Sequence, residues 1–254
     1  MASSDGTLSA VVVAHPDDET LWLSSVLGSA DRVVFCFGAP FDKPEKSAAR
    51  QRAVAALPLP HLVDLALPES GAGFSVDWEA PLLTETGVAI NQATPRARYE
   101  ANYPKLVAAL RPALAGMRAV YTHNPWGEYG HAEHIQVHRA VTALQAELGF
   151  TIWFSNYVGP ASRPLARQLG ALPCRAERRV VRPDYALAAK LRAVYRRHDA
   201  WTGSRFHHWP REEVLYSLPG SRPACALTPL TGEWLLDVAG LDWMRWRKAR
   251  WRLD

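Results

Sequence analysis

The feature that most constrains this chain is an alternation through its first 158 residues, in which short valine-rich apolar runs are each followed by a turn and a segment with helical spacing. The strand-like runs are Leu8–Ala14, Arg32–Phe37 and His61–Leu67, and the helical stretches between them are Glu19–Leu27 and Ser47–Ala56. Strand, helix and strand in that order make βαβ units, whose crossovers force neighbouring strands to run parallel and cover the sheet with helices. Residues 68–97 carry Pro68, Gly71, Gly73, Pro81, Gly87 and Pro95 with little periodicity, and read as one long loop that lines a pocket rather than the core. A helix at Arg98–Leu110, a strand at Ala119–His123, the turn-rich NPWGEYG and a helix at His131–Leu148 follow. Thr151–Val158 reads as another buried strand; beyond Gly159 the pattern weakens, although Tyr185–His198 keeps helical spacing.

With 254 residues, 48% of them hydrophobic and 21% charged, the chain suits one large α/β domain and excludes a disordered or fibrous protein. No apolar run approaches the roughly 20 residues needed to cross a bilayer. The amino-terminal MASSDGT has neither a basic start nor an apolar stretch before a cleavage site, so the expected compartment is the cytoplasm. Cys36, Cys174 and Cys225 are too few and too scattered for a disulfide framework or a CxxC metal knuckle. The net charge of +4 comes mostly from arginine, a bias that fits the base composition of a gene better than an anion-binding surface. In the final LDWMRWRKARWRLD, helical spacing packs Trp243, Trp246 and Trp251 down and leaves the arginines in water. Nucleic acid is not an expected partner, and no membrane span is expected.

Two segments carry chemistry. Ala14-His15-Pro16-Asp17-Asp18-Glu19 directly follows the first strand and opens a helix, the carboxyl-end position where α/β sheets bind ligands. Pro16 keeps His15 out of the α conformation, so its side chain projects from the strand end, while Asp18 curls back toward the same point. The second segment, from His123 to His134, again follows a strand and opens a helix on which His131, His134 and His138 share one face. Five of the nine histidines lie in these two stretches and the helix that the second one opens, with His123 and His138 read as packing residues. Two imidazoles and one carboxylate, with a position left for water, suit zinc, and the same donors serve ferrous iron.

The motifs AHPDDE and YGHAEH resemble those of the LmbE-like, or PIG-L, family of zinc-dependent N-acetylglucosamine deacetylases. The resemblance implies a Rossmann-like core at about residues 7–158 and a divergent carboxy-terminal elaboration at about 159–254, together a single domain with a mostly parallel sheet flanked by helices. It implies His15, Asp18 and His134 as metal ligands, Asp17 as general base, and His131 and Tyr129 as catalytic groups at the carbonyl and leaving amine. Arg50 stands where relatives often carry a substrate-contacting arginine. The implied reaction is hydrolysis of an N-acetyl amide by metal-activated water, on a small molecule or glycoconjugate bearing an N-acetylhexosamine.

The sequence departs from that pattern at two places. Glu133 replaces the aspartate common before the last histidine of the second motif, which leaves its contact open, and Ala53 stands where relatives often have a glutamate. An amidase acting on a thiol-sugar conjugate and a non-catalytic sugar-binding module with a retained metal site are the rival readings.

Overall fold

A computed structural model of the chain describes residues 8–40, 43–59, 61–73, 75–170, 177–204, 207–218 and 236–237. The elements run β1 (Ser9–Val13), α1 (Asp18–Trp22), β2 (Arg32–Ala39), α2 (Pro44–Ala56), β3 (Leu62–Pro68), β4 (Leu83–Thr84), β5 (Gly87–Val88), α3 (Ala93–Leu114), β6 (Ala119–Thr122) and α4 (Ala132–Leu148). They continue with β7 (Thr151–Ser155), β8 (Tyr157–Val158), α5 (Arg163–Gly170), β9 (Glu177–Val181), α6 (Tyr185–Arg197), β10 (Glu213–Leu218) and β11 (Leu236–Asp237).

The main sheet has the order β3-β2-β1-β6-β7-β10-β9. Its first five strands are mutually parallel, and β10 and β9 add antiparallel at the far edge. This is a Rossmann-like α/β fold, and the sheet continues into strands drawn from beyond residue 158. Every residue of β1 is buried, as expected of a parallel strand covered on both faces. Ala10, Val12 and Ala14 face one core with residues of α3, α4 and α5, while Val11 and Val13 face the other with residues of α1, α2 and α6. Strand order reverses between β1 and β6, so a crevice opens beyond their carboxyl ends, where both motifs lie.

Several elements differ from the sequence expectation. Helix α1 stops at Trp22 rather than running to Leu27, because the Ser25 N–H donates to the buried Glu213 carboxylate (3.0 Å) and the Ser24 hydroxyl does the same (2.8 Å). Helix α3 begins at Ala93, five residues earlier than expected, since Pro95 is tolerated in a first helical turn. The segment 68–97 is no simple pocket-lining loop: it contains the β4–β5 hairpin, and Ala72, Val76, Val88 and Ile90 belong to the core. The strand at 151–158 divides into β7 and β8. The Trp- and Arg-rich terminus, Cys174 and Cys225 lie outside the described residues, and Cys36 is a buried free thiol. Among the described residues no helix is long and apolar enough to cross a membrane.

Two glycines with left-handed backbone allow a test of how tightly the second motif is built. Gly127 has φ +72°, and a Cβ there would meet the His131 carbonyl oxygen at 2.6 Å; Gly149, at φ +76° after α4, has open space. Gly149→Ala is expected to cost about 1 kcal/mol, the penalty for a left-handed alanine. Gly127→Ala adds the clash and should cost about 2–4 kcal/mol. Denaturant unfolding measures both, and equal costs would mean the turn is loosely packed.

Candidate metal centre

The first motif turns sharply where β1 ends. The Ala14 carbonyl accepts the Phe37 N–H (2.7 Å) and the Ala14 N–H donates to His123 Nε2 (2.8 Å), so β2 and the loop after β6 both grip the same residue. Asp17 takes left-handed backbone (φ 95°), which sends its side chain away from that of Asp18. Asp18 closes the turn: its N–H donates to the His15 carbonyl (3.1 Å), and its Oδ2 accepts the His15 N–H (2.8 Å). That same Oδ2 lies 3.1 Å from His15 Nδ1 and 3.2 Å from His134 Nε2, and Oδ1 accepts the Trp22 indole N–H at 3.1 Å.

Each imidazole is oriented from behind by a buried carboxylate. His15 Nε2 lies 2.9 Å from Glu133 Oε2, whose other oxygen accepts the N–H and hydroxyl of Ser70 (2.5 and 2.6 Å). Glu133 therefore makes the contact that its departure from the family motif left open. His134 Nδ1 lies 2.7 Å from Glu128 Oε2, which also meets His123 Nδ1 at 3.0 Å, while Glu128 Oε1 accepts the Asn124 N–H (2.9 Å). His123 is occupied on both sides: its Nε2 meets the Ala14 N–H and its Nδ1 meets Glu128, which leaves no position for an ion. His138 donates Nδ1–H to the His123 carbonyl (2.7 Å) and packs edge-on against Phe154, a structural role.

Donor atoms within 4.8 Å of one another form three overlapping groups: His15 with His131 and His134, Asp18 with His123 and His134, and His15 with Glu69 and Glu133. His15, Asp18 and His134 do not form a group of their own by that distance; Asp18 Oδ2 lies between the two imidazoles. Tetrahedral ligands at 2.0–2.2 Å from zinc stand about 3.3–3.6 Å apart. The two contacts of Asp18 Oδ2 are close to that edge length. His134 Nε2 is buried without a hydrogen bond of proper geometry, and a lone pair so placed fits a cation.

The electrostatics fit a cation as well. Asp17, Asp18, Glu128 and Glu133 are each at most 3% exposed. Burial disfavours a charged His15, yet Glu69, Asp18 and Glu133 outweigh it and hold the imidazole up at about 10. Burial pushes Asp18 up, but His134, His123 and His15 hold it well below the usual carboxylate range, and Glu128 is drawn down to about 2 against its burial, chiefly by His123. Asp17 behaves differently: burial and its neighbour Asp18 raise it to about 6.

The remaining expected residues surround this point. The His131 ring is 4.9 Å from that of His15 and 4.7 Å from that of His134, at the N-terminal cap of α4. The Tyr129 ring is 5.5 Å from that of His134 and 5.7 Å from that of Trp22. Arg50, buried on α2, is ion-paired with Glu69, whose carboxylate is 3.8 Å from His15 Nε2. Sequence reasoning assigned no role to Glu128, Glu69, Ser70 or Thr202. Only Glu128 had a visible signal, its place inside the histidine-rich motif.

Fold and side chains together define a Rossmann-like α/β fold with a cluster of histidines and carboxylates at its switch point. No protein-family model matches the sequence, and no curated protein is similar to it in sequence. Solved structures do match. A deacetylase–teicoplanin complex from the teicoplanin biosynthesis pathway superposes with TM-score 0.57 and 14% identity, over 85% of this chain and 100% of that one. The zinc-inhibited form of teicoplanin deacetylase gives 0.55 and 13% over 85% and 100%, and the A40926 pseudoaglycone deacetylase 0.52 and 12% over 86% and 100%. At such identities the likeness is one of fold.

If Glu133 orients His15 as a ligand, Glu133→Gln should weaken Zn²⁺ binding about 10- to 100-fold with the fold intact. His138→Ala should leave affinity unchanged and cost stability. Competition against a chromophoric chelator, with circular dichroism as the fold control, measures both; wild-type affinity in Glu133→Gln would show that the contact does not serve the ion.

Proposed function

We propose that the chain is a metal-dependent hydrolase that removes an N-acetyl group from an N-acetylglucosamine-type sugar, free or carried on a glycoconjugate. The observation that carries this reading is the seat of Asp18 between His15 Nδ1 and His134 Nε2, with each imidazole held from behind by Glu133 or Glu128. Such a set of two histidines and one carboxylate suits zinc first, with ferrous iron as the alternative for the same donors. The fold shared with deacetylases supports the reaction, and a neighbour solved in a zinc-inhibited form is compatible with a metal at this centre.

An ion held by His15, Asp18 and His134 would lower the pKa of water and polarise an amide carbonyl. The protein's own groups do the rest. Asp17, pointing away from the ligand carboxylate, takes the proton of the attacking water. His131 sits at the amino end of α4, where backbone N–H groups and the helix dipole favour negative charge developing on the carbonyl oxygen, and it passes a proton to the departing amine. Tyr129 donates its hydroxyl toward the same oxygen. Arg50, steadied by Glu69, contacts the sugar.

Acetate release from free, nucleotide-linked, lipid-linked and glycopeptide-linked N-acetylhexosamines, with protein loaded in turn with Zn²⁺ and, under anaerobic conditions, Fe²⁺, tests the reading. Amide cleavage confined to cysteine conjugates would replace it, and no release from any substrate would overturn it. On the best substrate Asp17→Asn should keep its metal while kcat falls by about 10² to 10⁴, the usual cost of losing a general base. Asp18→Ala should instead lose metal first and recover part of its activity in excess zinc. The reverse outcome would exchange the two roles.

A further inference from the structure

The carboxylate of Asp17 does not face an empty crevice. Thr202, from the segment after α6, donates its N–H to Oδ2 at 2.5 Å, and its hydroxyl lies 2.8 Å from Oδ2 and 3.1 Å from Oδ1. We infer that Thr202 is a positioning residue for the general base: it holds the Asp17 carboxylate in one rotamer, turned away from Asp18. This inference rests on the deacetylase reading.

The loop that carries Thr202 is anchored without help from Asp17. Asp199 takes left-handed backbone (φ 56°), and the Ala200 N–H returns to the Tyr195 carbonyl (2.9 Å), so the chain reverses sharply at the end of α6. The Trp201 indole closes the loop on the Ser204 carbonyl (3.3 Å). Gly203 lies so close to α1 that a Cβ there would stand 2.9 Å from a Leu21 methyl and 2.7 Å from the Trp201 ring. The Trp209 indole donates to the Thr20 carbonyl at 2.7 Å. A second tie reaches Asp17 from the same direction: the Tyr195 hydroxyl donates to Glu19 Oε1 (2.9 Å), and Glu19 Oε2 accepts the Asp17 N–H (3.0 Å). Asp17 is thus fixed at its backbone through Glu19 and at its carboxylate through Thr202, and removing the hydroxyl should leave the carboxylate on the single backbone N–H, free to pivot, without moving the loop.

Such a role matters because Asp17 sits beside a second carboxylate. An unheld Asp17 can rotate toward the histidines and compete with Asp18 for them, leaving the water without a base. One hydroxyl shared by both carboxylate oxygens, with a backbone N–H beside it, restricts that rotation.

The test compares Thr202→Val, which keeps the shape and the backbone N–H, with Thr202→Ser, which keeps the hydroxyl. Both are assayed as Zn²⁺-loaded protein on whichever N-acetylhexosamine of the panel releases acetate fastest, alongside zinc stoichiometry and thermal unfolding. Thr202→Val should lower kcat about 10- to 100-fold, the size of one hydrogen bond to a charged group, with KM and zinc content unchanged. Thr202→Ser should restore kcat to within a few-fold of wild type. Unchanged kcat in Thr202→Val, equal damage in both variants, loss of zinc, or a change in KM alone would each overturn the inference while leaving the deacetylase reading intact. An inactive wild type would overturn the reading, and the inference with it.

Discussion

Negative charge buried beyond the ends of β1 and β6 governs how the rest of this structure is arranged. An isolated carboxylate taken from water into the interior loses several kcal/mol or more even after the protein relaxes. Asp18, Glu128 and Glu133 can be tolerated together only if donors and cations surround them. The chain supplies donors wherever geometry allows: the Asn124 N–H for Glu128, both groups of Ser70 for Glu133, and the Trp22 indole for Asp18. What it cannot supply from backbone and hydroxyl groups is positive charge. The three carboxylates converge on His15 and His134, so those imidazoles must carry protons or share a cation.

That requirement explains which parts of the molecule the sequence discloses. The alternation of apolar runs and helical stretches encodes the parallel strands directly, since strands buried on both faces must be almost wholly apolar. The two motifs are legible because each follows such a strand at its carboxyl end. The Asp17–Asp18 pair is legible as two carboxylates in a tight turn, whose side chains must diverge. The antiparallel strands β9 and β10 were not. β9 reads Glu-Arg-Arg-Val-Val and lies mostly exposed at the sheet edge, so no hydrophobic period marks it, and its place depends on pairing with β10 thirty-odd residues later.

The groups around the centre were illegible for a related reason. Ser70 and Glu69 come from the turn after β3 and Thr202 from the loop after α6, and each is an ordinary polar residue in a turn-rich stretch. Their roles exist only because the sheet order places β3 and α6 near the end of β1, which is a property of the whole fold. Glu133 shows the same dependence in a motif residue. One methylene longer than an aspartate, it reaches His15 because Ser70 grips its other oxygen and fixes the side chain at the necessary extension.

The division of labour between His123 and His134 follows from one shared partner. Their rings stack at 3.8 Å, and both offer Nδ1 to the same oxygen of Glu128. What separates them is the far nitrogen. On His123 that nitrogen accepts the Ala14 N–H, a backbone donor that would otherwise be orphaned at the strand end and whose loss would leave a buried polar group unpaired at a cost of about 1–3 kcal/mol. On His134 the equivalent nitrogen meets no donor and faces Asp18 at 3.2 Å. Two imidazoles of the same chemistry, side by side on one carboxylate, are thereby set apart by a single backbone N–H: one ties the second motif to the first strand, and the other turns its far nitrogen to Asp18.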